Sequence, residues 1–327
     1  MGLKMTIEQP DTPEVQAPRP PIPRLGAAAS GLVALLLVGG LFVVPLLGLL
    51  IAPLGSLPVL QFQSGGSPGY RAWGPVAALL VVAALGGFAG FALPLLSTYS
   101  LLVILPSVTV DVWIRWRLSE GRWVAVTTIC GLFGCLAAVV AIASPLTPME
   151  AVAGWIRAAS EDAAELYAAW GLAQGSVELA LDAAERAAAW VLPSVPVAYL
   201  VLILFWMRPR LPLLGLPVSV TPFEEYRNDE WLAALFVLAG GGTLLFGGTL
   251  RWVAINLLVA ALILYFVQGL AMIRAHLARW FGRGWLVRWG VALLCLQGPM
   301  PLLVAALGVA DSFHPLRPQV DDDGGTK

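Results

Sequence analysis

Long apolar runs constrain this chain more than any other feature of its sequence. The longest covers residues 73–114, where Asp111 is the only charged side chain. A helix needs roughly 20 apolar residues to cross a bilayer. Because 59% of all residues are hydrophobic and only 12% are charged, the chain cannot form a water-facing surface. A helix satisfies its own backbone polar groups in lipid, so these runs predict an all-α, polytopic transmembrane helix bundle.

Prolines and polar clusters divide the apolar runs into spans. We predict crossings at residues 27–51, 73–114, 123–144, 191–207, 231–248, 252–272 and 285–310, and a loop rich in Pro, Gly and Ser at residues 53–71. The 73–114 run would extend about 63 Å as one helix, twice the hydrocarbon thickness. Pro94 and Pro106 are positions where this helix would break. The run crosses either once, which gives seven spans, or twice, which gives eight.

One segment between the spans is polar enough to lie outside the membrane. Residues 145–190 carry seven acids, and their apolar side chains recur at steps of three and four, with Gly171 and Gly175 interrupting the pattern. This predicts an extramembrane amphipathic helical hairpin. The chain then divides into a Pro-rich disordered tail (1–26), N-terminal spans (27–144), the amphipathic segment (145–190), C-terminal spans (191–310) and a closing motif with a tail (311–327).

The Lys and Arg of the short loops predict the orientation, since cytoplasmic loops are enriched in them. With a cytoplasmic N-terminus and one crossing at 73–114, 13 of the 19 Lys and Arg lie inside, against 11 if this run crosses twice. The first arrangement places the acidic segment outside a bacterial cytoplasmic membrane. Tryptophans near span ends are interpreted as interfacial anchors: Trp113, Trp116, Trp123, Trp252, Trp280, Trp285 and Trp289.

Several classes of function have no support in the sequence. It contains no motif for nucleotide hydrolysis, dinucleotide binding or a familiar hydrolase, and a net charge of −1 gives no basic field for nucleic acid. The three cysteines, Cys130, Cys135 and Cys295, lie far from both histidines, so no zinc-ligand spacing exists. Asp111 lies one turn before Arg115, which predicts an ion pair and not a proton-coupling site. We therefore expect no enzyme activity, no cofactor and no metal.

Four uncharged polar residues of the late spans are candidates for ligand binding: Asn256, Tyr265, Gln268 and Gln297. Such side chains also form hydrogen bonds between membrane helices, typically for about 1 kcal/mol each. Twelve residues separate Asn256 from Gln268, which places them some 120° apart on one helix. Because these two cannot form one stripe, we favour bridging between helices and keep ligand binding as the alternative.

The end of the chain carries a distinctive motif, LLVAALGVADSFHPLR. This stretch resembles the closing signature of the YybS-like family of bacterial multi-pass membrane proteins, with these residues in register: Gly308, Asp311, Ser312, Phe313 and Arg317. Asn256, Tyr265, Gln268 and Gly269 match its upstream polar pattern, whereas His314 and Pro315 replace the usual aromatic–acid pair. The family is distantly similar to the substrate-binding subunits of energy-coupling-factor transporters, and this likeness implies solute capture.

The closing motif has two physical interpretations. Asp311 follows the predicted last span directly, where its carboxylate would accept backbone N–H bonds and pair with Arg317 as a structural clasp. The alternative is a motif that docks a partner.

Two hypotheses for function follow from these observations. The first is a transport component that binds a small, mostly neutral molecule and depends on a separate ATPase module. The second is a structural or interaction protein of the bacterial envelope that uses its exterior helices to bind a membrane partner. In both, the lipid bilayer is the environment and nucleic acid is not a partner.

Overall fold

The computed structural model describes residues 26–65, 92–143, 146–169, 187–280 and 293–314, with a few single residues between them. This part of the chain is almost entirely helical and contains no strand. Four helical stretches are long and apolar enough to cross a membrane: Pro45–Phe62, Leu95–Trp116, Glu120–Ala143 and Gly248–Leu277. Three shorter apolar helices accompany them: Ala29–Val43, Trp231–Leu245 and Met300–Phe313. The predicted all-α membrane helix bundle is confirmed, and the number of crossings stays a prediction.

The first predicted span is part of a helical hairpin. Helix α1 (Ala27–Val43) is followed by a second arm that packs back along it. This arm consists of α2 (Pro45–Ile51), a 3-10 turn (Ala52–Gly55) and α3 (Ser56–Gly65). The predicted loop at residues 53–71 is therefore wrong as far as residue 65.

Prolines explain this difference. Pro45 and Pro53 each lie in the first turn of a helical piece, where the missing N–H costs little. The hairpin reverses at Val44, which is not helical, and a Cβ atom on Gly48 would lie 2.3 Å from the backbone of Leu41. The close return of the chain thus depends on a glycine at residue 48.

The next described helix contains a π-helical turn. Helix α4 (Ala92–Tyr99), the π turn (Ser100–Ile104) and α5 (Leu105–Trp116) follow one another without a break. Pro106 does not interrupt the helix, because it lies in the first turn of α5 and the wider π turn precedes it. Residues 66–91 lie outside the described part of the chain, so the choice between one and two crossings at 73–114 is not tested.

Helix α6 (Glu120–Ala143) runs back against α5 and buries two tryptophans between them. The rings of Trp113 and Trp123 stack with centroids 4.5 Å apart, and each indole N–H donates a hydrogen bond within the protein. Trp252 is equally buried. The interpretation as interfacial anchors is therefore wrong for these three residues, while Trp116, 73% exposed, fits it.

The acidic segment begins with α7 (Pro148–Ala169). Arg157 of α7 forms an ion pair with Glu185, at 2.7 Å, so the two arms of the segment contact each other as a hairpin requires. Val152 and Ala189, at the base of the two arms, are buried in a cluster with Trp252. The base of this hairpin is therefore part of the bundle, and its predicted location outside the membrane stays a prediction. Gly171 and Gly175 lie outside the described residues.

The C-terminal half contains α8 (Ser194–Met207), α9 (Trp231–Leu245), α10 (Gly248–Trp280) and α11 (Met300–Phe313). Helix α10 is longer at both ends than the predicted 252–272 span. Helix α11 continues past the predicted end at residue 310. Residues 208–230, here called the connecting segment, join α8 to α9 through three 3-10 turns: Arg208–Arg210, Pro212–Leu214 and Phe223–Glu225.

The bundle has two chemically different ends. At the polar end, the turn between α5 and α6 and the connecting segment meet the last turns of α10 and α11. At the hairpin end, the start of α7 meets residues 187–194 and the turn between α9 and α10. The largest hydrophobic cluster lies between them and includes buried residues of every helix from α5 to α11 except α7.

Candidate functional site

Helices α10 and α11 cross at two glycines near the polar end. A Cβ atom on Gly308 would lie 2.0 Å from the carbonyl oxygen of Tyr265, and one on Gly269 would lie 2.0 Å from that of Val304. No other residue type fits at either position without a shift of backbone. The close approach brings the last turn of α11 against the polar side chains of α10.

Asp311 lies in this last turn and not after the span, because α11 continues to Phe313. Its side chain is buried, and its Oδ2 accepts a hydrogen bond of 2.9 Å from the amide of Gln268. The described cation nearest to it is Arg227, 3.8 Å from Oδ1. Arg317, the predicted partner, lies outside the described residues, so the predicted pair is not tested.

Asn228 attaches the connecting segment to α10 next to Asp311 through hydrogen bonds. Its backbone N–H donates to the side-chain oxygen of Gln268 at 3.1 Å, and its side-chain amide donates to the carbonyl of Leu264 at 3.0 Å. The hydroxyl of Tyr226 in turn donates to Asn228, and burial raises the pKa of Tyr226 above its ordinary value. The amide groups of Gln268 and Asn228 thus hold three elements together.

A buried ion pair secures the other side of the connecting segment. Glu120 at the start of α6 pairs with Arg208, and both side chains are less than 10% exposed. The other Glu120 oxygen accepts hydrogen bonds from the N–H and the hydroxyl of Thr221, at 3.1 and 2.8 Å. The guanidinium of Arg208 also lies 5.5 Å from the ring centroids of both Phe205 and Tyr226. These contacts compensate for the cost of burying the pair.

Further ion pairs complete the polar end. Arg122 pairs with Asp229 at 2.9 Å and Arg274 with Glu224 at 2.7 Å, each joining a helix to the connecting segment. Burial raises the pKa of Asp229, but hydrogen bonds from Arg122 and Ser119 outweigh this effect and hold it below its ordinary value. The predicted pair of Asp111 and Arg115 is confirmed, at 2.7 Å. The polar end therefore neutralises most of its own charge.

A groove opens on the side of the bundle, in the half nearer the hairpin end. It encloses about 520 Å³ between the helix that contains the π turn, the middle of α6 and the first turn of α8. Its lining is apolar apart from hydroxyl and thiol groups, and includes these residues: Ser97, Thr98, Ser100, Cys130, Gly134, Cys135, Val139, Leu192 and Pro196. No charged side chain of the described residues contributes to this lining. We call this cavity the lateral groove.

One protein family, described as "Predicted membrane protein (DUF2232)", matches residues 31–312 of the chain. The chain belongs to this family. The match spans the bundle from α1 to the last turn of α11, so the protein is an integral, multi-pass membrane protein. It includes Gly308 and Asp311 but ends before Arg317. No curated protein and no solved structure matches the chain.

In this DUF2232 protein, the four predicted ligand-binding residues do not meet at one place. Tyr265 and Gln268 lie in the polar cluster around Asp311, where Tyr265 shares a hydrogen bond with Ser312. Asn256 is fully buried near the hairpin end and bonds to Ser194 and to the carbonyl of Trp190. Gln297 is exposed. The lateral groove is lined by other residues, and a ligand role for these four stays a prediction.

Sequence reasoning missed both the connecting segment and the groove. The connecting segment contains four prolines, which is typical of an ordinary loop, although the four acids and one arginine of residues 224–230 were a usable signal. For the groove, the signal was the row of small residues on one side of α6, Gly131, Gly134 and Ala138. In a chain with 34 glycines, such spacing has little specificity.

Proposed function

We propose that this DUF2232 protein is a membrane-embedded binding component that captures a small, mostly apolar molecule from the bilayer for transport. The observation that carries the proposal is the lateral groove. Its volume of about 520 Å³ lies within the range of roughly 300–1,000 Å³ typical of small-ligand sites. Because no charged side chain lines it, the part of the ligand that it holds is uncharged.

The walls of the groove support a preformed site. On α6, a Cβ atom at Gly131 would lie 2.6 Å from the side chain of Leu200, so this wall packs tightly against α8. One turn further, a Cβ atom at Gly134 would meet nothing within 4 Å. The hydroxyls of Thr98 and Ser100 lie in the lining and would offer hydrogen bonds to a polar group of the ligand. The opposite wall contains the π turn, a feature frequent at functional sites.

The energy for transport would come from a second protein. The sequence holds no nucleotide-binding motif, so the proposal assigns energy input to a separate ATPase module. Affinity purification of the tagged protein from its native membranes tests this part. We expect an ATPase to co-purify after chemical cross-linking, and its consistent absence would contradict the dependence on such a module.

A groove-filling variant tests the binding function itself. Gly134→Trp would fill the groove, whereas Gly240→Trp on α9 is a matched control, since a Cβ atom at Gly240 also meets nothing within 4 Å. Mass spectrometry of organic extracts identifies small molecules that co-purify with each protein. We expect one compound class in the wild type and the control that is depleted in Gly134→Trp. Equal extracts from all three proteins would refute the groove as a binding site.

A second candidate function is binding of an envelope partner through the exterior hairpin. Its two arms are paired by Arg157 and Glu185, and Trp155 on α7 is 42% exposed. Val152 and Ala189 pack in the bundle, so a clean deletion must keep them. Replacing residues 157–185 with a short Gly-Ser linker should abolish cross-linking to a membrane partner without affecting insertion. Unchanged cross-linking would exclude this role.

A further inference from the structure

A second cavity lies at the hairpin end of the bundle. It encloses about 320 Å³ and is lined by residues from the start of α7, the approach to α8 and the start of α10: Thr147, Pro148, Met149, Trp190, Gly248, Thr249 and Trp252. Thr147, Met149 and Thr249 are exposed, so the cavity opens at the surface of this end. Trp252 is buried and donates its indole N–H to the carbonyl of Ala189, which fixes the cavity floor.

Arg251 places a positive charge beside this cavity. Its guanidinium carbon lies 5.7 Å from the ring centroid of Trp190, which lines the cavity, and the residue is exposed. Among the described residues, none forms an ion pair with Arg251. A cation in the first turn of a helix also interacts unfavourably with the helix dipole. Within the described part of the chain, no acid neutralises Arg251, so its charge is available there to an anionic ligand.

Glu150 is hydrogen-bonded to Thr147, one of the residues that line this cavity. Glu150 accepts hydrogen bonds from the backbone N–H and the hydroxyl of Thr147, at 2.9 and 2.7 Å, as in a helix capping box. These bonds lower the pKa of Glu150 below its ordinary value. Its carboxylate thus caps the N-terminus of α7.

Side chains of one hydrophobic cluster line both this cavity and the lateral groove. Val139 and Leu192 line the groove, and Trp190 and Trp252 line the second cavity. These four side chains pack in one hydrophobic cluster. An elongated molecule that occupies both cavities therefore displaces side chains of this cluster.

We propose that the ligand is a phospholipid with an anionic headgroup, whose phosphate binds Arg251 and whose acyl chain occupies the lateral groove. The inference rests on the proposed function, because it names the class of molecule that the groove takes up. Arginine recognises phosphate through several N–H donors at once, and the guanidinium of Arg251 lies beside the Trp190 ring, 5.7 Å from its centroid. The apolar, uncharged groove suits a hydrocarbon chain and excludes the headgroup.

Native mass spectrometry of the delipidated full-length protein tests the proposal. The probes are 1-palmitoyl-2-oleoyl phosphatidylglycerol, the corresponding phosphatidylcholine, and glycerol phosphate, which has the head without the chains. We expect the wild type to bind one phosphatidylglycerol in preference to phosphatidylcholine. Arg251→Gln should weaken phosphatidylglycerol binding roughly tenfold, because a charge-assisted contact is lost, while Arg251→Lys should retain most of it.

The outcomes separate this inference from the proposed function. If Arg251→Gln binds phosphatidylglycerol as the wild type does, or if glycerol phosphate competes as well as the intact lipid, the inferred ligand is wrong. If, in that case, Gly134→Trp binds less phosphatidylcholine than Gly240→Trp does, the groove remains a binding site although the headgroup site is refuted. If Gly134→Trp binds both lipids normally, the groove itself is refuted.

Discussion

At the polar end, most of the ion pairs join different parts of the chain. Of these pairs, Glu120 and Arg208 are the most deeply buried, and they connect α6 to the connecting segment. Removing one partner of a buried pair leaves an uncompensated charge, which costs about 3–5 kcal/mol. An exposed pair contributes only about 0–1 kcal/mol, because water screens both charges.

This contrast predicts the effect of two single substitutions. Glu120→Ala should lower the free energy of unfolding by about 3–5 kcal/mol, since it strands Arg208 in the bundle. Arg157→Ala should change it by less than about 1 kcal/mol, because Arg157 is 65% exposed. Thermal unfolding in detergent measures both. The double variant Glu120→Gln with Arg208→Met should lose less than Glu120→Ala, and equal losses would show that the stranded charge of Arg208 is not the cause.

The partner of Asp311 can be decided by charge reversal. Asp311→Ala should lower stability by about 1–3 kcal/mol, because it leaves the amide of Gln268 without its acceptor in a buried position. Asp311→Arg combined with Arg227→Asp should recover part of the loss that Asp311→Arg causes. If Arg317→Asp recovers the loss caused by Asp311→Arg and Arg227→Asp does not, the partner of Asp311 is Arg317, as in the clasp predicted from the sequence. If Asp311→Ala is as stable as the wild type but loses a partner protein, the motif is a docking site.

The sequence predicts part of this cluster and misses part of it. Gln268, Gly308 and Asp311 stand out because amides, glycines and acids are conspicuous in apolar helices, and the structure brings all three to one helix crossing. Their partners Arg227 and Asn228 lie in a loop-like stretch among other charges. Nothing in their spacing specifies that this stretch folds back onto α10.

At the scale of helices, proline and glycine account for both the correct and the wrong predictions from the sequence. Proline ends a helix or begins one, and the sequence alone does not say which. Pro53 begins a helical piece, so the loop predicted there is wrong, and Pro106 follows a π turn within a continuous helix. The long spans at α6 and α10 were predictable, because their apolar runs exceed the bilayer thickness and contain no proline.

The crossing of α10 and α11 yields a prediction for Gly308. Gly308→Ala should destabilise the protein by about 1–3 kcal/mol, because the added methyl would overlap the carbonyl of Tyr265 and force the helices apart. Gly134→Ala is the matched control in another membrane helix. It should be neutral or stabilising by up to about 1 kcal/mol, since its methyl meets open space and alanine favours the helix. Equal effects of both substitutions would mean that the crossing tolerates a shift.

At the scale of the whole molecule, the two ends differ in charge. These described arginines lie at the polar end: Arg115, Arg117, Arg122, Arg208, Arg210, Arg227 and Arg274. At the hairpin end lie Arg157 and Arg251. Because Lys and Arg concentrate on the cytoplasmic side of membrane proteins, the polar end should face the cytoplasm and the exterior hairpin the opposite side. The hydrogen bond from Ser56 to Met207 places the end of the N-terminal hairpin near the polar end as well.

Labelling of single cysteines tests this orientation directly. In a variant with Cys130, Cys135 and Cys295 replaced by Ala, we introduce either Ala158→Cys on α7 or Glu225→Cys on the connecting segment. Both positions are exposed, so access depends on the side of the membrane and not on burial. In intact cells, a membrane-impermeant maleimide should modify residue 158 and leave residue 225 unmodified, and both should react after permeabilisation. The reverse pattern would mean the opposite orientation, with the acidic hairpin in the cytoplasm and Arg251 in the inner leaflet. The same headgroup site would then bind lipid of the cytoplasmic leaflet.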